Sequence, residues 1–227
     1  SNKPKIDRKL RIHCLNYVIP GQWYNMAATL SAGYSLRWLK YNFAPGQSYS
    51  DLADMALKVQ SSQGLFFLPH IRGERTPYMD PNSRGVLMGL TAQHQLAHIV
   101  RAVMEGVVFS LRTGLDTLNE LGIESQSIII SGGGTRHPLW IRLITDILGL
   151  PVEVSSFTDA APLGAAMLAG IGSGIFSNFE DACKIASARV ESKIFPDLES
   201  ADHYTRMYEK YLLLYPMVKN FNSFNSD

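Results

Sequence analysis

Residues 127–149 limit most tightly what this chain can fold into. They open on a β-branched apolar run, Ile128, Ile129 and Ile130, then three consecutive glycines, Gly132, Gly133 and Gly134. A short apolar run bounded by turn signals predicts a strand buried on both faces. Pro138 follows, with its φ pre-set for the first turn of a helix. Leu139, Trp140, Leu143, Ile144, Ile147 and Leu148 supply an apolar stripe, and Gly149 ends it. The unit therefore reads as strand, glycine loop, helix. Without Cβ atoms, three glycines let a flat ligand lie against the backbone. The helix that follows opens with unpaired amides and a positive dipole end, which suit an anion. The same glycines equally serve a tight turn. The loop is not a P-loop, because no Gly-Lys-Ser/Thr follows, and no third glycine falls at the dinucleotide spacing. A nucleotide here would offer the loop its base and sugar rather than its phosphates.

Composition narrows the partners. The 227 residues are 46% hydrophobic and 18% charged, with net charge +1. That is enough for one large or two small globular domains with a real core. No basic block appears, which argues against a nucleic-acid surface and against a charged membrane patch. No apolar run approaches the roughly 20 residues of a membrane span. The first residues, Ser-Asn-Lys-Pro-Lys, lack an apolar signal core. Cys14 and Cys183 stand far apart with no motif around them, as reduced thiols of a cytoplasmic protein would.

In chain order, 11–19 and 22–30 read as a β-hairpin across the turn pair Pro20-Gly21. An opening on a hairpin suggests a chain that starts inside a larger protein. A helix follows from Ser31 as cap, with Leu36, Leu39 and Phe43 as its apolar side. Gly33 in its first turn serves either close packing or a second ligand-facing helix start. A helix over 51–61 capped by Ser50, a buried strand over 64–69 and a polar loop over 73–85 come next. The loop gathers Arg75, Arg84, Glu74 and Asp80, with Arg72 just before it, and reads as exposed and held by ion pairs. After a short strand at 86–90, the longest helix spans 93–121, with Leu96, Val100, Val103, Val107, Leu111, Leu115 and Leu118 recurring every three or four residues. At ~1.5 Å per residue it is roughly 43 Å long and should cross the whole domain. His94 and His98 share one face without a third metal ligand, and Glu105 is expected to be a paired, partly buried carboxylate. A strand at 152–154 precedes a helix whose body, 163–170, is made of small residues suited to close packing on a sheet or a ligand. Helices at 179–188 and 201–215 complete the chain, the last with Tyr204, Tyr208, Tyr211 and Tyr215 on one packing face.

This order of elements is α/β, with a mixed sheet flanked by helices. Three stretches of it resemble the C-terminal domain of the FGGY carbohydrate kinases, most closely the members acting on D-xylulose. One runs from Pro20-Gly21-Gln22-Trp23 through Leu30-Ser31-Ala32-Gly33-Tyr34-Ser35-Leu36-Arg37-Trp38-Leu39. Another joins Phe67-Leu68-Pro69, Gly73-Glu74-Arg75-Thr76-Pro77, Asp80-Pro81, Arg84-Gly85, Gly89-Leu90 and 98–106. The third is Ser131-Gly132-Gly133-Gly134 with Leu139-Trp140, Thr145-Asp146, Gly149-Leu150-Pro151-Val152 and Leu163-Gly164-Ala165-Ala166.

The resemblance implies a fold like actin and hexokinase, in which two ribonuclease H-like lobes hold ATP between them. It implies that 1–227 is a single nucleotide-binding lobe, with a flexible leader over 1–10 and a flexible tail over 217–227. It implies transfer of phosphate from Mg-ATP to a ketopentose, D-xylulose, giving D-xylulose 5-phosphate. Other FGGY substrates (gluconate, ribulose, glycerol) and a non-catalytic nucleotide-binding relative are the alternatives. By the resemblance, Gly132, Gly133 and Gly134 border the base and ribose. His137 falls where the family often carries Asn or Ser beside the adenine. Gly33 and Arg37 match a second nucleotide-facing helix start, and Arg142 stands where Gln is usual, with Asp146 as expected. The catalytic carboxylate, the sugar pocket, the phosphate loops and most of the Mg²⁺ contacts belong to an N-terminal lobe outside these residues, so this stretch alone is expected to be inactive. The polar loop at 73–85 and the tyrosine-striped helix are candidate surfaces for a homodimer.

Overall fold

A computed structural model of the chain describes residues 1–156, 160–187 and 190–223, without the side chains of 135, 185–187, 190–191 and 222–223. Strands β1 (His13–Asn16) and β2 (Trp23–Met26) form the antiparallel hairpin, with Leu15 opposite Tyr24. Two contacts of the preceding residues stand out. The Ser1 and Trp23 backbones exchange hydrogen bonds at 2.8 and 2.9 Å. Asp7 is buried beneath Arg11, whose Nε lies 2.9 Å from its Oδ2.

Helix α1 (Ala32–Phe43) buries Ser35, Leu36 and Leu39. Helix α2 (Tyr49–Leu57) is capped by Ser48, not Ser50 as expected. Ser48 Oγ accepts from the Asp51 amide at 3.1 Å, and Asp51 Oδ2 accepts from the Ser48 amide at 2.7 Å. This reciprocal box needs a carboxylate three residues after the cap, which Asp51 supplies to Ser48 while Ala53 stands there for Ser50.

Strands β3 (Phe66–Leu68) and β4 (Val86–Met88) pair antiparallel and bracket the polar loop. That loop is not an exposed ion-pair loop. His70, Glu74, Thr76 and Ser83 within or beside it are buried. Helix α3 (Leu96–Glu120) packs against β3, α1 and α2, so it is the central support the periodicity predicted, somewhat shorter than expected. His94 and His98 each turn Nδ1 back to accept a backbone amide, of Thr91 at 2.8 Å and Gln95 at 3.1 Å, where they act as local caps. Glu105 is buried and paired, accepting from Arg101 Nε at 2.7 Å and Tyr204 Oη at 3.1 Å.

A second, mixed sheet carries the glycine loop. Strand β5 (Ile128–Ile130) runs parallel to β6 (Val152–Ser155), which pairs antiparallel with β7 (Val190–Ile194). Strand β5 sits at the edge of this sheet, and Ile129 is 67% exposed. The expected burial on both faces is therefore wrong here, because a β-branched run reports apolarity, not the number of neighbours. Strand β7 was not expected, since its residues Glu191, Ser192 and Lys193 give little apolar signal; Lys193 Nζ pairs across the sheet with Glu153 Oε1 at 3.0 Å.

Helix α4 (Pro138–Leu148) follows a 3-10 turn, Gly133–Arg136, and packs against α3. Gly149 closes it at φ 66°, a left-handed position suited to glycine. Helix α5 (Ala160–Gly172) is the small-residue helix, yet of its described residues Gly170 alone is buried, pressed by the Phe176 ring. Helices α6 (Phe179–Ser187), α7 (Leu198–Tyr211) and α8 (Leu214–Ser223) end the described chain. The expected single helix over 201–215 is thus two. Its four tyrosines are buried, packing as foreseen around Phe109 and Tyr78. Helix α8 includes residues 217–223 of the tail.

Candidate functional site

A cavity of about 730 Å³ opens where α1, α2, α3 and the β5–α4 connection meet. Its volume lies within the usual range for small-molecule sites. Residues distant in sequence converge there. Helix α1 contributes Ala32, Gly33 and Leu36, and α2 contributes Tyr49 and Ser50. The long helix adds Val107 and Leu111. From the connection come Ser131, Gly133, Gly134, Arg136 and His137, and from α4 Trp140 and Ile144.

The glycines shape this space in two ways. Gly132 has φ 90°, the left-handed region that side chains resist, and it turns the chain off β5. Gly133 and Gly134 are different. Among the described residues a Cβ on either would meet no atom within 4 Å beyond its chain neighbours, and the same holds for Gly33. Among the described residues nothing in the packing requires glycine at these three positions. Their missing side chains leave backbone open to the cavity instead.

The wall is apolar where Leu36, Val107, Leu111, Trp140 and Ile144 meet, and polar groups are few. Helix α1 starts at this wall. Its first backbone bond runs from the Ser35 amide to the Ser31 carbonyl, so the amides before it have no helical partner. Ser31, at the cap position, makes no side-chain cap bond, and its buried Oγ has no partner among the described residues. His137 also lines the cavity. Its Nδ1 accepts the Leu139 amide at 3.1 Å, capping α4, and its Nε2 lies 3.2 Å from Asp54 Oδ1.

Sequence reasoning named Gly33, Gly132, Gly133, Gly134, His137 and Arg37. The structure brings Gly33, Gly133, Gly134 and His137 to one cavity, with Gly132 as the turn beside them. Arg37 is exposed on α1, its guanidinium 5.7 Å from the ring centre of Tyr41, and does not line the cavity. Arg142 also turns away, bonding Asp146 at 2.9 Å and the Phe195 carbonyl at 3.3 Å. Gly164, on α5, is absent from the wall. Tyr49, Ser50, Val107 and Leu111 were not foreseen as wall residues. The periodicity of Val107 and Leu111 reported a helix face, Tyr49 and Ser50 lie in a first turn that the expected 51–61 helix left out, and which part of a face fronts a cavity is set by how the helices cross. Among the described residues no group of three or more His, Cys, Asp or Glu side chains could hold a metal ion, and no helix is long and apolar enough to cross a membrane.

Comparison with known proteins adds to this geometry. The description "FGGY family of carbohydrate kinases, C-terminal domain" matches residues 1–173. A xylulose kinase of Staphylococcus epidermidis is 34% identical over 209 residues, which is 92% of this chain and 42% of the relative. A xyloylose kinase from Brucella ovis superposes with a TM-score of 0.87 at 27% identity, covering 97% of this chain and 45% of that one. A Plasmodium falciparum glycerol kinase solved with ADP superposes with a TM-score of 0.72 at 26% identity, covering 86% of this chain and 39% of that one. The chain therefore spans less than half the length of these relatives.

Proposed function

The chain belongs to the FGGY family of carbohydrate kinases, matching their C-terminal domain, and on that premise we propose that its cavity is the nucleotide-binding half of an ATP-dependent sugar kinase. In the intact protein the sugar is a ketopentose, D-xylulose, and the product D-xylulose 5-phosphate. The observation that carries this reading is the glycine arrangement. Gly33 from α1 and Gly133 and Gly134 from the β5–α4 connection border one cavity, and among the described residues no atom fills the place of their side chains. Backbone bared on two sides of an apolar slot suits a flat base and its ribose. The relatives named xylulose kinase and the glycerol kinase solved with ADP support the same assignment.

The chain's own residues would then divide the work as follows. Leu36, Val107, Leu111, Trp140 and Ile144 exclude water around the base. The start of α1 offers amides and a positive dipole end to the phosphates. ATP would supply the phosphoryl group, and Mg²⁺ would be held mainly through the nucleotide and by residues outside this chain. Phosphoryl transfer depends on positioning and on charge stabilisation around the γ-phosphate. A carboxylate within reach of the attacking hydroxyl is also needed. On this reading both come from the remainder of the protein, and residues 1–227 alone phosphorylate no sugar.

Gly133→Asp tests the reading in the full-length protein. A Cβ at Gly133 meets no atom among the described residues, so the variant should fold, while its carboxylate projects at the bound nucleotide. ADP binding measured by calorimetry should weaken at least tenfold, with an unchanged melting temperature in the absence of nucleotide. Equal ADP affinity in the two proteins would remove the cavity from the nucleotide site. Failure of the full-length protein to phosphorylate D-xylulose while accepting gluconate, ribulose or glycerol would reassign the sugar and leave the cavity's role standing.

A further inference from the structure

Of the described residues that line the cavity, Arg136 alone carries a fixed charge. It is exposed, and among the described residues its guanidinium has no hydrogen bond, ion pair or contact with an aromatic ring. The arginines of the helices that wall the same cavity are all taken. On α3, Arg101 bonds Glu105 and Arg112 donates to the Ile147 carbonyl. On α4, Arg142 bonds Asp146, and on α1, Arg37 lies against the Tyr41 ring. Arg136 also borders a second hollow of about 470 Å³, and neither wall includes an Asp or Glu. The neighbouring His137 has both ring nitrogens engaged, with the Leu139 amide and with Asp54, so it leaves no polar atom for a ligand.

A ligand that fills the cavity takes water away from this guanidinium. A neutral ligand would leave the charge with no partner, which is costly, whereas an anionic one supplies the partner itself. In a nucleotide the base and ribose are neutral and the phosphates carry the charge. Resting on the nucleotide reading above, we propose that Arg136 binds the phosphate groups and thereby makes the cavity select a nucleotide over its nucleoside. The amides at the start of α1 bring only partial charge to the same ligand. Arg136 brings a full charge in a planar fork that can meet two phosphate oxygens at once.

Calorimetry on the full-length protein with adenosine, AMP and ADP tests this. In the wild type, affinity should rise from adenosine to ADP. Arg136→Ala should weaken ADP by about tenfold or more while shifting adenosine by less than about twofold, because only the phosphates lose a charged partner. Arg136→Lys keeps the charge without the fork and should fall between the two. The ADP affinity of Arg136→Ala should also depend less steeply on ionic strength than that of the wild type. Arg206 is exposed on α7 and absent from the cavity wall. Arg206→Ala removes the same charge and should leave all three affinities unchanged, which separates contact from net charge. Arg136 has no partner to strand, so the melting temperature without ligand should match the wild type. Equal losses for adenosine and ADP would put Arg136 on the base or ribose, and no loss for any ligand would leave it in solvent. Either result overturns the proposal while the nucleotide reading stands. If the wild-type protein binds neither adenosine nor ADP, the nucleotide reading falls and this one falls with it.

Discussion

Glu74 shows how a residue inside an apparently polar loop can become part of the core. Its carboxylate is 2% exposed and accepts from Thr29 Oγ1 at 2.8 Å, Leu30 N at 3.1 Å, Arg75 N at 2.7 Å and Ser110 Oγ at 3.3 Å. These donors come from the hairpin exit, the loop and α3, so one side chain ties three elements together. Burial pushes its carboxyl above the usual range against those hydrogen bonds. Glu74→Ala would strand several buried donors, each worth about 1–3 kcal/mol when left unmade. The expected loss is roughly 3–5 kcal/mol in urea-unfolding free energy, against about half that for Glu74→Gln, which keeps one acceptor oxygen. His70 lies beside it, with Nε2 3.6 Å from Glu74 Oε2 and Nδ1 2.7 Å from Ser83 Oγ. Burial holds the His70 imidazole down to about 4, and the nearby Asp80 only partly offsets this. The ring is thus neutral at pH 7, and its approach to Glu74 is not an ion pair. In the unfolded chain the ring takes up its proton near the ordinary histidine pKa of about 6.5. Between that value and about 4 the unfolded state binds more protons, so stability falls as pH drops through this window, by up to roughly 3 kcal/mol. Glu74 contributes the opposite slope above the ordinary carboxylate range, so the comparison must be with His70→Asn, which can still reach Ser83 but does not titrate. The wild-type protein should lose clearly more unfolding free energy than His70→Asn from pH 6.5 to pH 4.5. Parallel curves would remove His70 as the cause. None of this was legible in the sequence, because Glu74 and its charged neighbours present the composition of a solvated loop and only the fold reveals what covers them.

At the scale of elements, the sequence was most informative where one period ran long. The recurrence from Leu96 to Leu118 foretold α3 and its central place, and the run at 128–149 foretold strand, turn and helix within a residue or two of their ends. It was least informative where contact with another element decides the outcome. Gly106 reads as a weak point in α3, since glycine in a helix interior costs about 1 kcal/mol relative to alanine. Packing outweighs propensity here: a Cβ at Gly106 would overlap the Phe67 carbonyl oxygen of β3. Gly106→Ala should therefore destabilise the protein by about 2 kcal/mol or more, despite its better helix propensity. A stabilised Gly106→Ala protein in thermal unfolding would refute the close packing of α3 on β3. The docking of α7 depends on a polar contact of the same kind. Arg101 Nη2 lies 2.8 Å from Tyr204 Oη, which in turn donates to Glu105 Oε1 at 3.1 Å. Tyr204→Phe removes that hydroxyl from between two buried charges, and a loss of about 1–3 kcal/mol is expected. A double-mutant cycle with Glu105→Gln should be strongly non-additive, because both substitutions break the same network. Glu105 was foreseen as a paired carboxylate from its place by the apolar stripe. Its tyrosine partner was not, since 99 residues separate them.

Across the whole molecule, burial is concentrated around α3 and thins toward α5. Fifteen of the 25 residues of α3 are buried, and the helix touches α1, α2, α4, α7 and β3. Helix α5 is the opposite case: Gly170 is its one buried residue among those described, and α6 is its main neighbour. The small side chains of α5 were expected to permit close packing, but that composition gives the opportunity for close approach and not the partner. The candidate site lies nearer the well-buried end. Its walls come from α1, α2, α3 and α4, and its glycines stand at the starts of α1 and α4, so it is held open by the most tightly packed part of the chain. This is why the glycine loop could be read from sequence as a possible platform while the cavity could not: the loop is local, and the far wall is assembled by helix crossings. Unequal burial also predicts unequal local stability, because backbone amides in elements with few buried contacts open without global unfolding. In native-state hydrogen exchange, the central amides of α3 should exchange only through global opening, tracking urea in proportion to the full unfolding transition. Those of α5 should exchange at least a hundredfold faster and respond weakly to urea, as local openings expose little surface. Amides of α4 should follow α3, since α4 packs on it. Equal protection of α5 and α3 would mean that α5 gains a partner its described neighbours do not supply. Loss of protection in α4 together with α5 would separate the glycine-loop wall from the α3 core and make the cavity a mobile joint instead of a rigid slot.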